Sequence, residues 1–201
     1  IPPLVNVSDE VSTSERNEVC YQYKYDNRNR LIEKKIPGKG WEYIVYNLLD
    51  QPVMTQDGNL RSVGRWLFTK YDAFGRVVYT GVTENNASRS LLQARADDPD
   101  NYNQYELKNS TPQTLGGTAV YYTNKTIPTN ILKVYTINYY DDYAFDWNLY
   151  AGKLSDPNST STVNGQKVAG GSQTDVTTKG LATGSKVRVL DTDDWIVSYT
   201  L

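Results

Sequence analysis

The sequence predicts an all-β protein built from antiparallel β-hairpins that form a curved sheet. Three observations predict this class: a tyrosine-rich composition, a short motif that recurs three times, and β-favouring runs separated by turn residues. The 201-residue chain contains 17 Tyr and four Trp but only three Phe and one Met. Tyr, Trp, Val and Thr suit the half-exposed face of a pleated sheet better than a helix.

Residues 19–82 have the pattern of six short strands. The β-favouring runs are VCYQYKY, RLIEKKI, WEYIVY, PVMTQ, RWLFTKY and RVVYTGV, and the breakers between them are NRN, PGKG, LLD, DGN and AFG. Turns at such short intervals leave no room for crossover helices, so we expect one continuous antiparallel meander. Residues 1–18 are polar and include Pro2 and Pro3, a pattern that predicts a leading linker.

A motif of the form Tyr-Asp/Asn-x-x-Asn/Asp/Gly marks alternate reversals of this meander. Its residues are Tyr25, Asp26, Asn29 and Arg30 in the first copy, Tyr46, Asn47 and Asp50 in the second, and Tyr71, Asp72, Gly75 and Arg76 in the third. The last position of the motif is Asn29, Asp50 or Gly75. These are residue types that tolerate the left-handed conformation of a tight hairpin. The Asp or Asn after the Tyr is a short acceptor that can bond the turn's own backbone amides. The motif therefore predicts a turn, and we interpret its aspartates as structural.

Residues 83–132 interrupt the pattern and are predicted to be an insertion. The run SRSLLQARADD favours a short helix within 87–97, with Ser88 or Ser90 as its N-cap. The run that follows it, PDNYNQYELKNSTPQTLGG, is rich in turn-forming residues. We therefore expect a turn-rich insertion, and expect any helix to lie mainly within 87–97.

Residues 133–201 are predicted to hold further strands. KVYTINYYDDY alternates as a strand and ends in Tyr140-Asp141, a degenerate fourth copy of the motif. SKVRVLD and DWIVSYTL predict a hairpin around Thr192-Asp193. Between these strands, residues 151–178 are rich in Ser, Gly and Thr and are predicted to form a long loop.

Composition excludes most familiar catalytic and metal sites. The chain has no His, which removes the usual general base and the commonest neutral metal ligand. Its one cysteine, Cys20, is interpreted as a strand thiol. Asp141-Asp142 and Asp193-Asp194 are the only acidic candidates for catalysis, but adjacent residues on a strand point to opposite faces. We therefore predict a non-enzymatic protein with no cofactor and no metal.

Charge and hydropathy predict no nucleic-acid partner and no membrane insertion. The 21 Lys and Arg nearly balance the 23 Asp and Glu, which leaves a net charge of -2. No apolar run approaches the roughly 18 residues that a transmembrane helix needs. Asp57-Gly58-Asn59 and residues 97–101 lack the ligand spacing of a calcium loop, so we interpret both as solvated turns.

The motif copies also carry a family resemblance. YDAFGRVVYTG at 71–81 resembles the repeat of the RHS/YD-repeat family, and YDNRNRLIEKKIPGKGWEYIVYN resembles the versions in large surface or secreted proteins of Bacteroidetes-type bacteria. The resemblance covers residues 20–82 well and 133–143 and 185–201 loosely. It identifies the chain as a repeat-region fragment of a longer protein.

The resemblance implies a non-catalytic structural role. In that family, strung hairpins coil into a β-sheet shell around a toxin or other cargo, or form an extracellular scaffold. The partners it implies are the flanking repeats of the same polypeptide, and the localisation is secreted or at the bacterial cell surface. Asp98-Pro99 and Asp156-Pro157 both lack the Asp-Pro-x-Gly pattern of self-cleaving family members, so we expect no autoproteolysis.

Carbohydrate binding is the alternative function. Trp41, Tyr43 and Trp66, with Tyr121 and Tyr122, are the candidates for flat aromatic faces that contact glycans. Aromatic residues in strands more often pack against cross-strand neighbours, which favours the structural role.

Overall fold

A computed structural model describes residues 11–143, 145, 162–163, 166–167 and 178–200 of the chain. The helices are α1 (Thr13–Val19), α2 (Gly58–Ser62) and α3 (Arg89–Ala96). The strands are β1 (Gln22–Tyr25), β2 (Leu31–Lys35), β3 (Glu42–Tyr46), β4 (Pro52–Gln56), β5 (Arg65–Tyr71), β6 (Val77–Glu84), β7 (Lys108–Leu115), β8 (Thr118–Tyr122), β9 (Lys133–Tyr140), β10 (Thr162–Val163), β11 (Gln166–Lys167), β12 (Ala182–Arg188) and β13 (Trp195–Tyr199).

Nine of these strands form one antiparallel sheet in the order β1-β2-β3-β4-β5-β6-β9-β12-β13. The first six strands are adjacent in sequence order, which confirms the predicted meander over residues 19–82. The mainly β class is therefore confirmed as well. β7 pairs with β8, and β10 pairs with β11, as separate two-stranded sheets.

The chain divides into two compact units. Unit 1 comprises Ile1–Thr69, Val82–Gln104 and Lys125–Asn130. Unit 2 comprises Lys70–Gly81, Tyr105–Asn124 and Ile131–Leu201.

The core of unit 1 includes the inward-facing side chains of β5 and a buried leucine of α3. In β5, burial alternates with the period of a strand, so Trp66 and Phe68 face inward while Leu67 is exposed. Leu92 of α3 is fully buried in the same unit. The side-chain amide of Gln93 bonds both backbone groups of Tyr46, with Tyr46 N to Oε1 at 3.1 Å and Nε2 to Tyr46 O at 2.7 Å. These two bonds fix α3 against β3.

Stacked aromatic rings form much of the core of unit 2. The ring of Tyr139 lies 4.0 Å from that of Phe145 and 5.7 Å from that of Tyr122, and both pairs are nearly parallel. Phe145 also stacks on Tyr199 at 5.6 Å. A Cβ on Gly184 would lie 2.6 Å from the Phe145 ring, so this glycine makes room for the stack. Aromatic pairs of this kind contribute about 0.5–1.5 kcal/mol each beyond the area that they bury.

Two short helices depart from the sequence prediction. α1 lies partly in the predicted leading linker, because Ser12 and Glu15 form a capping box that satisfies the first backbone amides. Cys20 follows α1 and precedes β1, so the prediction of a strand thiol is wrong. α2 begins after Asp57, whose carboxylate accepts from Leu60 N at 2.9 Å. Within the described residues, no helix has the length and apolarity to cross a membrane.

The insertion at 83–132 is only partly as predicted. α3 falls within 87–97 and is capped by Ser88, one of the two predicted N-caps. The turn-rich stretch after it contains strand β7, which pairs with β8 across Gly116 and Gly117, both at positive φ. The run KNSTPQTL has no apolar alternation and is largely solvent-accessible, and for this reason its sequence does not indicate a strand.

The remaining predictions concern the last third of the chain. β9 and the β12–β13 hairpin, with Asp193 at φ 62°, lie as predicted. Tyr140-Asp141, the predicted fourth copy, does not form the motif turn. The Asp141 amide bonds Leu181 O and not a carbonyl four residues ahead, and β9 pairs with the distant strand β12. The predicted loop at 151–178 lies almost wholly outside the described residues, and so do residues 1–10 of the linker predicted over 1–18.

Candidate functional site

The three motif turns have the same hydrogen-bond pattern. In the first turn, Asp26 Oδ1 accepts from the backbone amides of Arg28 and Arg30, both at 2.9 Å, and the Asp26 carbonyl accepts from Asn29 N at 3.0 Å. Asn29 has φ 58°. The equivalent bonds recur at Asn47, Leu49, Asp50 and Gln51, and at Asp72, Phe74, Gly75 and Arg76. In each copy the Asp or Asn after the Tyr thus accepts from two backbone amides of its own turn.

In the first and third motif copies, an arginine side chain joins the turn to a second acidic residue. Arg30 Nε bonds Asp26 Oδ2 at 2.7 Å, while its Nη1 reaches Asp50 Oδ1 of the next motif copy at 3.0 Å. Burial alone would raise the pKa of Asp26, but the backbone and side-chain bonds from Arg30 hold that pKa below its ordinary value of 3.8.

The third turn repeats this arrangement in unit 2. Arg76 Nε bonds Asp72 Oδ2 at 2.6 Å, and its two terminal nitrogens bond the two oxygens of Asp141 at 3.0 and 2.7 Å. The Arg76 hydrogen bond lowers the pKa of Asp141 below 3.8. The middle copy has Gln51 where the others have Arg, and there Asn47 Nδ2 bonds Gln51 Oε1 at 2.8 Å.

A cavity of about 370 Å³ lies in unit 1, between β3, the residues around α2 and the start of α3. Its polar lining includes Glu33, Gln56, Arg61, Asn86 and Arg89, and its aromatic wall is Tyr43. The Arg61 guanidinium lies 4.6 Å from the centroid of the Tyr43 ring, and Arg61 Nη1 bonds Trp41 O at 3.0 Å. A guanidinium therefore covers one face of the only aromatic ring that lines the described part of this cavity.

The structure does not bring the proposed glycan-contact residues together into one aromatic surface. Tyr43 lines the cavity, whereas Trp41 lies outside it beneath the ammonium of Lys24, 4.7 Å from the ring centroid. Trp66 is 1% exposed and points into the core, so it offers no face to a ligand. Tyr122 is also buried and stacks on Tyr139.

Unit 2 contains a buried polar cluster that sequence reasoning missed. Lys70 Nζ lies 3.2 Å from Glu106 Oε1 and 3.2 Å from Asn124 Oδ1, and the Lys70 and Glu106 side chains have no exposed surface. Lys70 occupies the same face of β5 as Trp66 and Phe68, which lie four and two residues earlier. This inward register was the signal in the sequence that could have identified Lys70 as a buried lysine.

Two further residues complete what we call the Lys70 cluster: Lys70, Glu106, Asn124, Thr123 and Tyr79. Thr123 Oγ1 donates to Glu106 Oε2 at 2.6 Å. The Tyr79 hydroxyl lies 2.9 Å from Thr123 O and 3.4 Å from Asn124 Oδ1, and its ring centroid is 5.9 Å from Lys70 Nζ. Burial lowers the pKa of Lys70 to about 8 and raises the pKa of Tyr79, so the phenol stays protonated.

In the two stretches that were interpreted as solvated turns, Asp57 and Asp98 bond nearby backbone amides. Asp57 caps α2, and Asp98 accepts from the backbone amides of Asp100 and Asn101 at 3.2 and 3.3 Å. Among the described residues, no group of three or more His, Cys, Asp or Glu side chains is placed to hold a metal ion.

Comparison of the chain with models of known protein families gives no match, and comparison with curated proteins gives none either. The linked turns, the cavity in unit 1 and the Lys70 cluster are therefore the features from which a function is inferred.

Proposed function

We propose that this chain is a non-catalytic structural segment of a large secreted or cell-surface protein of the RHS/YD-repeat type. In this role its hairpins form part of a curved β-sheet scaffold around cargo or a toxin. The segment works by shape, so its partners are the flanking repeats of the same polypeptide, with no nucleic acid and no inserted membrane span.

The observation that carries the proposal is the link from one turn to a residue outside it. Arg30 bonds its own turn at Asp26 and the next motif copy at Asp50. Arg76 bonds its own turn at Asp72 and also bonds Asp141, which lies just after β9. A guanidinium has a rigid fork of donors, so one Arg can satisfy two carboxylates at fixed geometry. A motif that holds its own turn and the neighbouring one is suited to repetition along a sheet.

Hydrogen exchange tests this proposal. Among the described strands, β1 and β13 end the nine-stranded order, so each has one edge without a described neighbour strand. We expect their amides to exchange more slowly in the longer natural polypeptide than in this chain alone. The amides of β3 and β4, which are paired on both sides, serve as the internal control and should change little. Equal exchange of the end strands in both proteins would contradict the proposal.

Carbohydrate binding is the second candidate, and the cavity in unit 1 is the observation that favours it. Its volume of about 370 Å³ lies in the range of small-molecule sites, and amide, hydroxyl and guanidinium groups line it. Against this function, Arg61 covers a face of Tyr43 on which a sugar ring would stack. Thermal denaturation with added glycans separates the two candidates.

A further inference from the structure

The Lys70 cluster brings an amine, an amide and a carboxylate together in unit 2, where Lys70 and Glu106 are fully buried and Asn124 is half-buried. Nζ of Lys70 lies 3.2 Å from Oδ1 of Asn124. Because a carbonyl bond is about 1.23 Å long, the Asn124 Cγ is at most about 4.4 Å from that nitrogen. Reaction between two such groups needs an approach to roughly 3–3.5 Å, which requires a movement of about 1 Å or less.

We propose that Lys70 and Asn124 form an intramolecular amide bond, with Glu106 transferring the protons. The Lys70 amine attacks Cγ of Asn124, a bond forms between Nζ and Cγ, and the bond between Cγ and Nδ2 breaks. This crosslink goes beyond the scaffold role proposed above and needs no external oxidant, cofactor or second substrate.

The proton transfers balance within the cluster. Glu106 takes a proton from the Lys70 ammonium, and the free amine adds to Cγ. Glu106 then returns that proton to Nδ2, which leaves as ammonia, and removes a proton from the new amide nitrogen. The ammonia carries this last proton away as ammonium, so that Glu106 ends as the carboxylate. One ammonium ion is released, and no atom is oxidised or reduced.

The surroundings of Lys70 favour this reaction. Burial lowers its pKa to about 8. With that pKa, about one lysine in ten is the neutral, nucleophilic amine at pH 7. The Tyr79 hydroxyl donates to Thr123 O at 2.9 Å and lies 3.4 Å from Asn124 Oδ1, so that turning its one proton would let it donate to the oxygen that becomes negative when the amine adds. Glu106 is held by Thr123, whose hydroxyl donates to the other carboxylate oxygen at 2.6 Å.

Amide formation would tie β5 to a residue that lies just beyond β8. The ammonium of Lys70 would become a neutral amide, whose N–H would stay beside Glu106 and donate to its carboxylate.

Intact-mass spectrometry of the denatured chain, followed by tryptic mapping, tests the proposal. We expect a mass lower than that of the sequence by one ammonia, after incubation at mildly alkaline pH if not at once. Because an acylated lysine resists trypsin, residues 66–76 should appear joined to residues 109–125. A folded chain that keeps its full mass, with free Lys70, would overturn the proposal.

Variants locate the reaction and exclude other losses of ammonia. A succinimide at Asn164-Gly165 would lose the same mass but would leave residues 66–76 and 109–125 unjoined, and that result would also overturn the proposal. Glu106→Gln keeps the shape of the side chain and should retain the full mass while circular dichroism shows a folded chain. Asn124→Asp should lose water in place of ammonia on forming the same bond. Crosslinking of Glu106→Gln at the wild-type rate would refute proton transfer by Glu106.

Discussion

Arg76 binds Asp141 through both terminal nitrogens, with Nη1 to Oδ1 at 3.0 Å and Nη2 to Oδ2 at 2.7 Å, although 65 residues separate them in sequence. The same guanidinium bonds Asp72 through Nε at 2.6 Å. Asp141 has φ 72° and also accepts from Gly180 N at 2.7 Å. One arginine thus connects the β5–β6 turn to the end of β9. It bonds one carboxylate inside its own turn and a second carboxylate that is distant in sequence.

The Arg76–Asp141 pair should make folding sensitive to acid. The Arg76 bond lowers the folded-state pKa of Asp141 below 3.8. The folded state therefore favours the carboxylate, and its contribution to stability is complete above the unfolded-state pKa. That contribution is lost as the pH falls through the lower, folded-state pKa. Asp141→Asn keeps a residue type that tolerates positive φ but cannot titrate.

We expect Asp141→Asn to lower the free energy of unfolding by about 1 kcal/mol at pH 7, near the low end for a charge-assisted pair because part of the side chain is in water. The difference from wild type should shrink as the pH falls below 3.8, the ordinary pKa of the group. Urea denaturation at a series of pH values measures this. Asp194→Asn, at an exposed position beside a turn, is the matched control and should change stability little at any pH. A difference independent of pH would contradict the role of the charge.

The positive φ of Gly75 predicts a large difference between neighbouring substitutions. Gly75 has φ 77°, and a β-branched side chain there costs roughly 1–3 kcal/mol in backbone strain. The Phe74 side chain is 77% exposed, so its removal forfeits little burial. We expect Gly75→Val to lower the melting temperature clearly and Phe74→Ala to lower it slightly. Equal melting temperatures for the two variants would contradict the turn assignment.

These turns were predictable because local residues encode them. Asp26, Asn47 and Asp72 bond amides two and four residues ahead, so the signal lies within one short stretch of sequence. The second partner of Arg76, in contrast, is Asp141, which follows directly after β9, and nothing near residue 76 identifies it. The pairing of β9 with β6 decides which carboxylate Arg76 meets.

The Lys70 cluster could be predicted only in part, for a similar reason. Period-two alternation along β5 indicates that residue 70 faces inward with Trp66 and Phe68. Its partners Glu106 and Asn124 belong to the insertion, where β7 has no strand-like pattern. Without the β7–β8 hairpin, the sequence could not indicate which acid and which amide meet the lysine.

Gly116 and Gly117 provide a test of that hairpin. Both have positive φ, so an alanine at either position adds similar backbone strain. A Cβ on Gly116 would lie 2.7 Å from the backbone oxygen of Leu132, whereas a Cβ on Gly117 meets nothing within 4 Å. Gly116→Ala should therefore cost about 1–3 kcal/mol more than Gly117→Ala, because the neighbour that must move is backbone. Chemical denaturation of the two variants measures the difference, and equal losses would refute the close approach.

The last prediction separates the scaffold from the carbohydrate-binding module. All three proposed contacts are already occupied: Trp66 is buried in the core, Lys24 lies over Trp41, and Arg61 lies over Tyr43. A ligand that binds only the folded state at a hundredfold excess over its dissociation constant stabilises it by about 2.7 kcal/mol. For a chain of this size that corresponds to a rise of roughly 5–10 °C in melting temperature.

We expect neutral glycans to leave the melting temperature unchanged, because Trp66 is buried and a cation covers one face of both Trp41 and Tyr43. If the melting temperature does rise, two variants locate the binding site. Tyr43→Ala removes the aromatic wall of the cavity, and Trp41→Ala, at a residue outside the cavity, is its control. A reproducible rise with one class of glycan, lost in Tyr43→Ala but kept in Trp41→Ala while both variants stay folded, would place a sugar in the cavity. Arg61 would then have to leave the ring when the glycan binds, and the scaffold would no longer be the function best supported for this chain.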